Sequence, residues 1–207
     1  MGTILKFPTE AAKFGYKRVR KRKVAENPGQ LHLFPPSPAS VLSLRASLGP
    51  FEQALMLDER GEGTAAEWYA RAIEGQDCMA EAYCNLGILE SQKGQTARAF
   101  DCFTTSLKHN PRQTEAHYNL GNLYFEVNDF RLAQIHYEMA AEVDTSFANV
   151  YFNLALVQSI NNELAAAINS LTTYQKLASP EEVRHTEDLL HNLKKSLAEA
   201  KNSQVKL

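Results

Sequence analysis

The feature that most constrains this 207-residue chain is a repeat with a period of 34. "AEAYCNLGILESQKGQTARAFDCFTTSLKHNPRQ" (80–113), "TEAHYNLGNLYFEVNDFRLAQIHYEMAAEVDTSF" (114–147) and "ANVYFNLALVQSINNELAAAINSLTTYQKLASPE" (148–181) align without a gap. Each copy has Asn-Leu at places six and seven, a small residue at place eight (Gly87, Gly121, Ala155) and alanine at place twenty (Ala99, Ala133, Ala167). Place twenty-four is bulky in all three: Phe103, Tyr137 and Leu171. Apolar residues within a copy recur at spacings of three and four, as an amphipathic helix requires, and a polar turn ("SQKGQ", "EVNDF", "SINNE") splits each copy into two such helices. The unit is a helical hairpin. One hairpin cannot bury its apolar face alone, so copies must stack.

This pattern resembles the tetratricopeptide repeat family over 80–181, and more distantly over 46–79, where Ala65, Tyr69 and Ala72 keep the register. The resemblance implies an all-α, right-handed superhelical solenoid. Its parts are a basic arm with a Pro-rich linker (1–45), a divergent repeat (46–79), three clear repeats (80–113, 114–147, 148–181) and a cap helix (182–205). Pro50 interrupts the first helix of the divergent repeat, which predicts a shortened helix beginning near that residue, where proline is tolerated in the first turn. After Ser179 and Pro180, Val183, Leu189, Leu190, Leu193 and Leu197 share one face of a charged segment, as a solvating terminal helix needs.

A composition of 44% hydrophobic and 22% charged residues suits an ordinary soluble domain with a core. No run of 18 apolar residues occurs, and the first 23 residues lack the apolar stretch of a secretory leader, so no membrane association and a cytoplasmic location are expected. Cys78, Cys84 and Cys102 are an odd number without CxxC spacing and read as reduced packing residues. Of the six histidines, His109, His117, His136, His185 and His191 fall on different repeat faces. Neither a metal nor a cofactor is expected, and without a phosphate loop, HExxH or nucleophile elbow, no enzyme activity either.

In the family, the first helix of each hairpin lines the concave groove, mainly through places 2, 5, 6, 9, 12 and 13. The resemblance therefore implies a binding surface of Glu81, Asn85, Ile88, Glu115, Tyr118, Asn119, Asn122, Asn149, Phe152, Asn153 and Leu156. Asn85, Asn119 and Asn153 all stand at place six. Stacking would set them as a ladder, similar to the asparagine ladder in the repeat portion of O-linked N-acetylglucosamine transferase. A carboxamide carries a donor and an acceptor, which suits the backbone of an extended peptide of any sequence. The alternative is that these asparagines hydrogen-bond within their own repeats. The basic clamp by which co-chaperone repeats hold a terminal carboxylate is missing, since its places carry Glu81, Cys84, Asn85, Glu115, Tyr118 and Asn119. Together with Glu126 these acids favour a neutral or basic guest. The expected function is a protein-interaction module or scaffold binding a protein or peptide. Self-association is an open alternative.

Residues 1–36 hold eight Lys and Arg against Glu10 and Glu26, while the rest of the chain is acidic. Lys17, Arg18, Arg20, Lys21, Arg22 and Lys23 form a basic cluster that suits phosphate, so the rival function is a DNA-associated accessory protein. Gln30, Leu31, Leu33 and Phe34 then admit three readings. The segment "QLHLF" resembles the peptide that hooks proteins onto the DNA sliding clamp, it covers the apolar end of the first repeat as a cap, or the arm regulates the protein by lying in its own groove against Glu81 and Glu115.

Overall fold

The computed structural model describes residues 15–20 and 48–204. The Gln30–Phe34 segment, Lys21, Arg22 and Lys23 lie outside the described residues, as does most of the arm and its linker. The protein is all-α, built of consecutive helical hairpins of the solenoid class. Among the described residues the helices are α1 (Pro50–Glu59), α2 (Ala65–Glu74), α3 (Met79–Gln92), α4 (Thr96–His109), α5 (Thr114–Glu126), α6 (Phe130–Val143), α7 (Ala148–Ile160), α8 (Leu164–Leu177), α9 (Pro180–Arg184) and α10 (Glu187–Gln204). Two compact units result: Arg18–Pro111, and Arg112–Leu207 together with the described residues up to Lys17.

The hairpin turns follow from place fifteen of each copy. Gly94, Asn128 and Asn162 all adopt positive φ, between 63° and 74°. Glycine enters that region freely and asparagine more readily than most residues. The left-handed residue reverses the chain, and the next amide bonds back to the helix just ended: Gln95 N–H to Glu90 O, Asp129 N–H to Tyr124 O, and Glu163 N–H to Gln158 O. These bonds satisfy carbonyls that a helix end leaves without partners. Gly61 repeats the device after α1, with φ +70° and a Glu62 N–H to Leu57 O bond. The shorter α1 starts at Pro50, and its Phe51 N–H is taken by the Asp77 carboxylate at 3.1 Å.

In the Arg18–Pro111 unit, Phe51, Ala54, Tyr69, Ala72 and Ala82 form a buried cluster. In the other unit, Tyr118, Ala133, Tyr137, Ala140, Val150, Leu154 and Val157 form one cluster. A second, containing Phe152, Ala155, Ala167, Leu171 and Tyr174, is closed by Leu189 and Leu193 of α10. Places eight, twenty and twenty-four meet inside each hairpin. A Cβ on Gly87 would lie 2.8 Å from the Phe103 ring, and one on Gly121 2.5 Å from the Tyr137 ring.

His117 and His136 face each other within the second unit, Nδ1 to Nδ1 at 3.1 Å, and His136 stacks on Tyr124 at 5.3 Å between ring centres. Burial, and then the neighbouring His117, holds the His136 pKa down at about 4. Between that value and the ordinary 6.5, the unfolded chain takes up a proton that the folded chain refuses, so stability falls as pH drops through this window. Each pKa unit is worth about 1.4 kcal/mol, so a loss of up to about 2 kcal/mol is expected between pH 6.5 and 5, and none from this group at higher pH. Urea midpoints measured across that range should show the slope, and His136→Gln should flatten it.

Candidate functional site

The described part of the arm, Gly15–Arg20, has no helix or strand, and each unit holds its own share of it. In the Arg112–Leu207 unit, Asn119 accepts the Lys17 N–H at its Oδ1 (2.9 Å) and donates from Nδ2 to the Lys17 carbonyl (3.1 Å). The Tyr16 hydroxyl donates to Glu126 at 3.2 Å, and the Lys17 ammonium sits 3.5 Å above the centre of the Phe147 ring. That ring packs on Tyr118 at 4.7 Å.

In the Arg18–Pro111 unit, Asn85 treats Val19 the same way, accepting its N–H at 2.8 Å and donating to its carbonyl at 3.0 Å. Arg18 forms a fork on Asp58, Nε to Oδ2 at 2.6 Å and Nη2 to Oδ1 at 2.8 Å. The Tyr69 hydroxyl donates to Asp58 Oδ2 at 3.2 Å and accepts from Asn85 Nδ2 at 3.1 Å. Arg20 meets Glu59 at 3.0 Å in solvent. The Asp58 side chain is 2% exposed. Its hydrogen bond, opposed by burial, raises the Arg18 pKa further, and burial and the Asp58 charge drive the Tyr69 hydroxyl well up, so both remain donors.

An extended strand turns successive side chains to opposite faces. Lys17 and Val19 are each held by the backbone at an asparagine of place six, and the side chain just before each, Tyr16 or Arg18, goes to Glu126 or Asp58, both at place thirteen of their repeats.

Other residues assigned to the groove behave differently. Asn153 bonds inward: its Nδ2 donates to Asn122 Oδ1 at 3.1 Å, which also accepts from the Tyr137 hydroxyl at 2.7 Å, while Asn153 Oδ1 is buried without a hydrogen-bond partner. Asn122 is thus an internal hub. Ile88, Tyr118, Phe152 and Leu156 are buried; Phe152 packs edge-on to Tyr174 at 5.4 Å and Tyr118 against Tyr137 at 6.0 Å. Burial pushes the Tyr118 hydroxyl up to about 12. Asn149 and Glu81 are half-buried, and Glu115 accepts from Gln113 at 3.0 Å. The acids that the described residues of the arm meet are Asp58, Glu59 and Glu126.

Sequence reasoning missed Asp58, Tyr69 and Phe147. Asp58 had a legible signal, since it follows Phe51 by seven and Ala54 by four and so lies on the buried face of α1. Among the described residues, no group of three or more His, Cys, Asp and Glu is gathered for a metal ion, and no helix is long and apolar enough to cross a membrane. Cys84 is buried, Cys78 and Cys102 are half-buried, and burial raises the Cys102 thiol to about 11.

Hairpins of this geometry, with a small residue under a bulky one and a left-handed turn at a fixed place, define a helical repeat protein. The tetratricopeptide repeat family model matches residues 80–113 and 114–147, so these two copies are tetratricopeptide repeats. Solved structures similar to it include "MamA 41-end from Desulfovibrio magneticus RS-1", at 21% identity over 76% of this chain and 90% of that one, with a TM-score of 0.60. "Crystal structure of MamA" is 18% identical over 74% of this chain and 97% of that one, with a TM-score of 0.57. "First TPR of Spaghetti (RPAP3) bound to HSP90 peptide SRMEEVD" is 20% identical over 58% of this chain and 94% of that one, with a TM-score of 0.53. At these identities the likeness is one of fold. The family makes this chain a protein-interaction module.

Proposed function

We propose that each unit of the chain binds an extended, basic segment of a protein by its backbone, with Asn85 as the clamp in the Arg18–Pro111 unit and Asn119 as the clamp in the Arg112–Leu207 unit. The observation that carries this is the reciprocal pair of hydrogen bonds each carboxamide makes with one residue of the arm. Both backbone groups of a residue are satisfied by one side chain, which requires an extended guest but no particular side chain at the clamped position. The acids around the clamps, Asp58, Glu59 and Glu126, set the charge of the guest. The repeat structure bound to SRMEEVD holds an acidic peptide, so this chain departs from it in the charge of what it takes. The rival DNA-associated function has less to draw on, because Lys17, Arg18 and Arg20 are directed at Phe147, Asp58 and Glu59.

Hydrogen exchange tests the clamps. In the full chain, the Lys17 and Val19 amides should exchange at least about tenfold more slowly than an unstructured segment, and Asn85→Ala with Asn119→Ala should remove that protection while the α7 and α8 amides keep theirs. Unprotected Lys17 and Val19 amides in the unmodified protein would refute the proposal.

A further inference from the structure

Within the Arg18–Pro111 unit, the side-chain contact says more than the backbone clamp does. Asp58 is a carboxylate removed from water inside a repeat, on the same helix face as Phe51 and Ala54. An ionised group so placed is costly unless a partner offsets the lost hydration. Among the described residues, the only cation within ion-pair range of Asp58 is Arg18, which the repeat itself does not supply. Arg18 lies 40 positions upstream, beyond the linker.

The geometry is selective. Two donors of one guanidinium meet two oxygens of one carboxylate, at 2.6 and 2.8 Å, an arrangement that an ammonium cannot copy. Tyr69 fixes the carboxylate by donating to Oδ2, and Asn85 fixes Tyr69 by donating to its hydroxyl. The amide that holds the guest backbone therefore also orients the group that reads the guest's arginine. Val19, the residue held by Asn85, is 5% exposed, so the following position is closed to charge and suits an aliphatic side chain. Glu59 with Arg20 is solvent-exposed and adds little.

We propose that Asp58, Tyr69 and Asn85 form an arginine-reading site for a partner's extended Arg-aliphatic dipeptide, and that the chain's own Arg18–Val19 occupies this site until such a partner displaces it. This rests on the backbone-clamp reading above and adds to it the side chain that is read. Nothing in the contacts requires Arg18 to be joined to the repeats: the clamp takes groups present in any extended segment, and the fork takes any arginine. What the tether supplies is concentration. Covalent connection gives the chain's own segment an effective concentration on the order of millimolar, so a free competitor is weakened in proportion.

The test uses the full chain and a fluorescein-labelled Tyr-Lys-Arg-Val-Arg peptide, followed by anisotropy. Arg18→Glu with Val19→Asp releases the arm, and circular dichroism checks that the repeats remain folded. The released chain should bind the peptide at least about tenfold more tightly than the unmodified chain, because the tethered competitor is gone. Replacing the central arginine of the peptide by citrulline, which keeps the shape and loses the charge, should weaken binding to the released chain by about tenfold or more. Equal binding of the arginine and citrulline peptides would overturn the arginine site and leave the backbone clamp standing. Failure of both peptides to bind the released chain would overturn the clamp as well. Equal affinity of the arginine peptide for the released and unmodified chains would overturn self-occupancy. Asp58→Asn in the released chain should bring the arginine peptide down to the citrulline level; if that variant unfolds, the citrulline comparison still decides.

Discussion

A chain carrying Gly121→Leu is expected to unfold about 10 °C below the unmodified protein, from an overpacking cost of about 3 kcal/mol or more. The first added carbon alone would stand 2.5 Å from Tyr137 Cε1 and 2.6 Å from Cδ1. The ring cannot swing away cheaply, because Tyr137 is fully buried and its hydroxyl is tied to Asn122 at 2.7 Å. Helix propensity works in the other direction, since glycine inside a helix is about 1 kcal/mol worse than alanine, but this gain is smaller than the clash. Thermal melts of Gly121→Ala and Gly121→Leu should fall in that order. A melt of Gly121→Leu unchanged within 2 °C (about 1 kcal/mol on the same scale) would show that the hairpin has room the geometry denies.

The three copies already contain the compensating change. Glycine lies under an aromatic ring in the Gly87/Phe103 and Gly121/Tyr137 pairs, and alanine under the narrower Leu171 in the Ala155/Leu171 pair. Gly87→Ala combined with Phe103→Leu therefore copies a pair that the chain itself uses, and its loss of stability should be smaller than the sum of the two single losses.

The same comparison explains what could be read from the sequence. The packing triad at places eight, twenty and twenty-four and the left-handed place fifteen are set by contacts inside one hairpin, and three copies repeat them in phase. The hairpins were legible for that reason. The fate of an asparagine at place six was not, because it depends on the copy before it. Asn85 follows a copy with Ala54 at place nine, and its Nδ2 reaches the Tyr69 hydroxyl and the Val19 carbonyl. Asn153 follows a copy with Asn122 there, whose carbonyl oxygen draws its Nδ2 inward. Identical letters thus serve different ends. Asp58 was missed for a related reason: the groove places were carried only onto the three clear copies, while the acid that meets Arg18 stands at place thirteen of the divergent one. Phe147, at the last place of its copy, belongs to no recurring position and gives no periodic signal.

The division among the asparagines leads to the second large expected effect, in which two residues three positions apart on α5 fail in different ways. Asn122→Ala should cost about 3 kcal/mol, because it strands the buried Tyr137 hydroxyl and the Asn153 amide donor together, at about 1–3 kcal/mol for each group left without its partner. Removing the stranded groups should restore stability: adding Tyr137→Phe to Asn122→Ala takes away one of the two orphaned donors, so the double variant should lie closer to Tyr137→Phe than additivity allows. Asn119→Ala, by contrast, unmakes the two bonds to Lys17, and should lower the urea midpoint of the Arg112–Leu207 unit by less than Asn122→Ala does while freeing the Lys17 amide to exchange. Equal losses of stability in Asn119→Ala and Asn122→Ala would mean that both belong to the scaffold, and that the contact between Asn119 and Lys17 is a structural tie with no exchangeable guest.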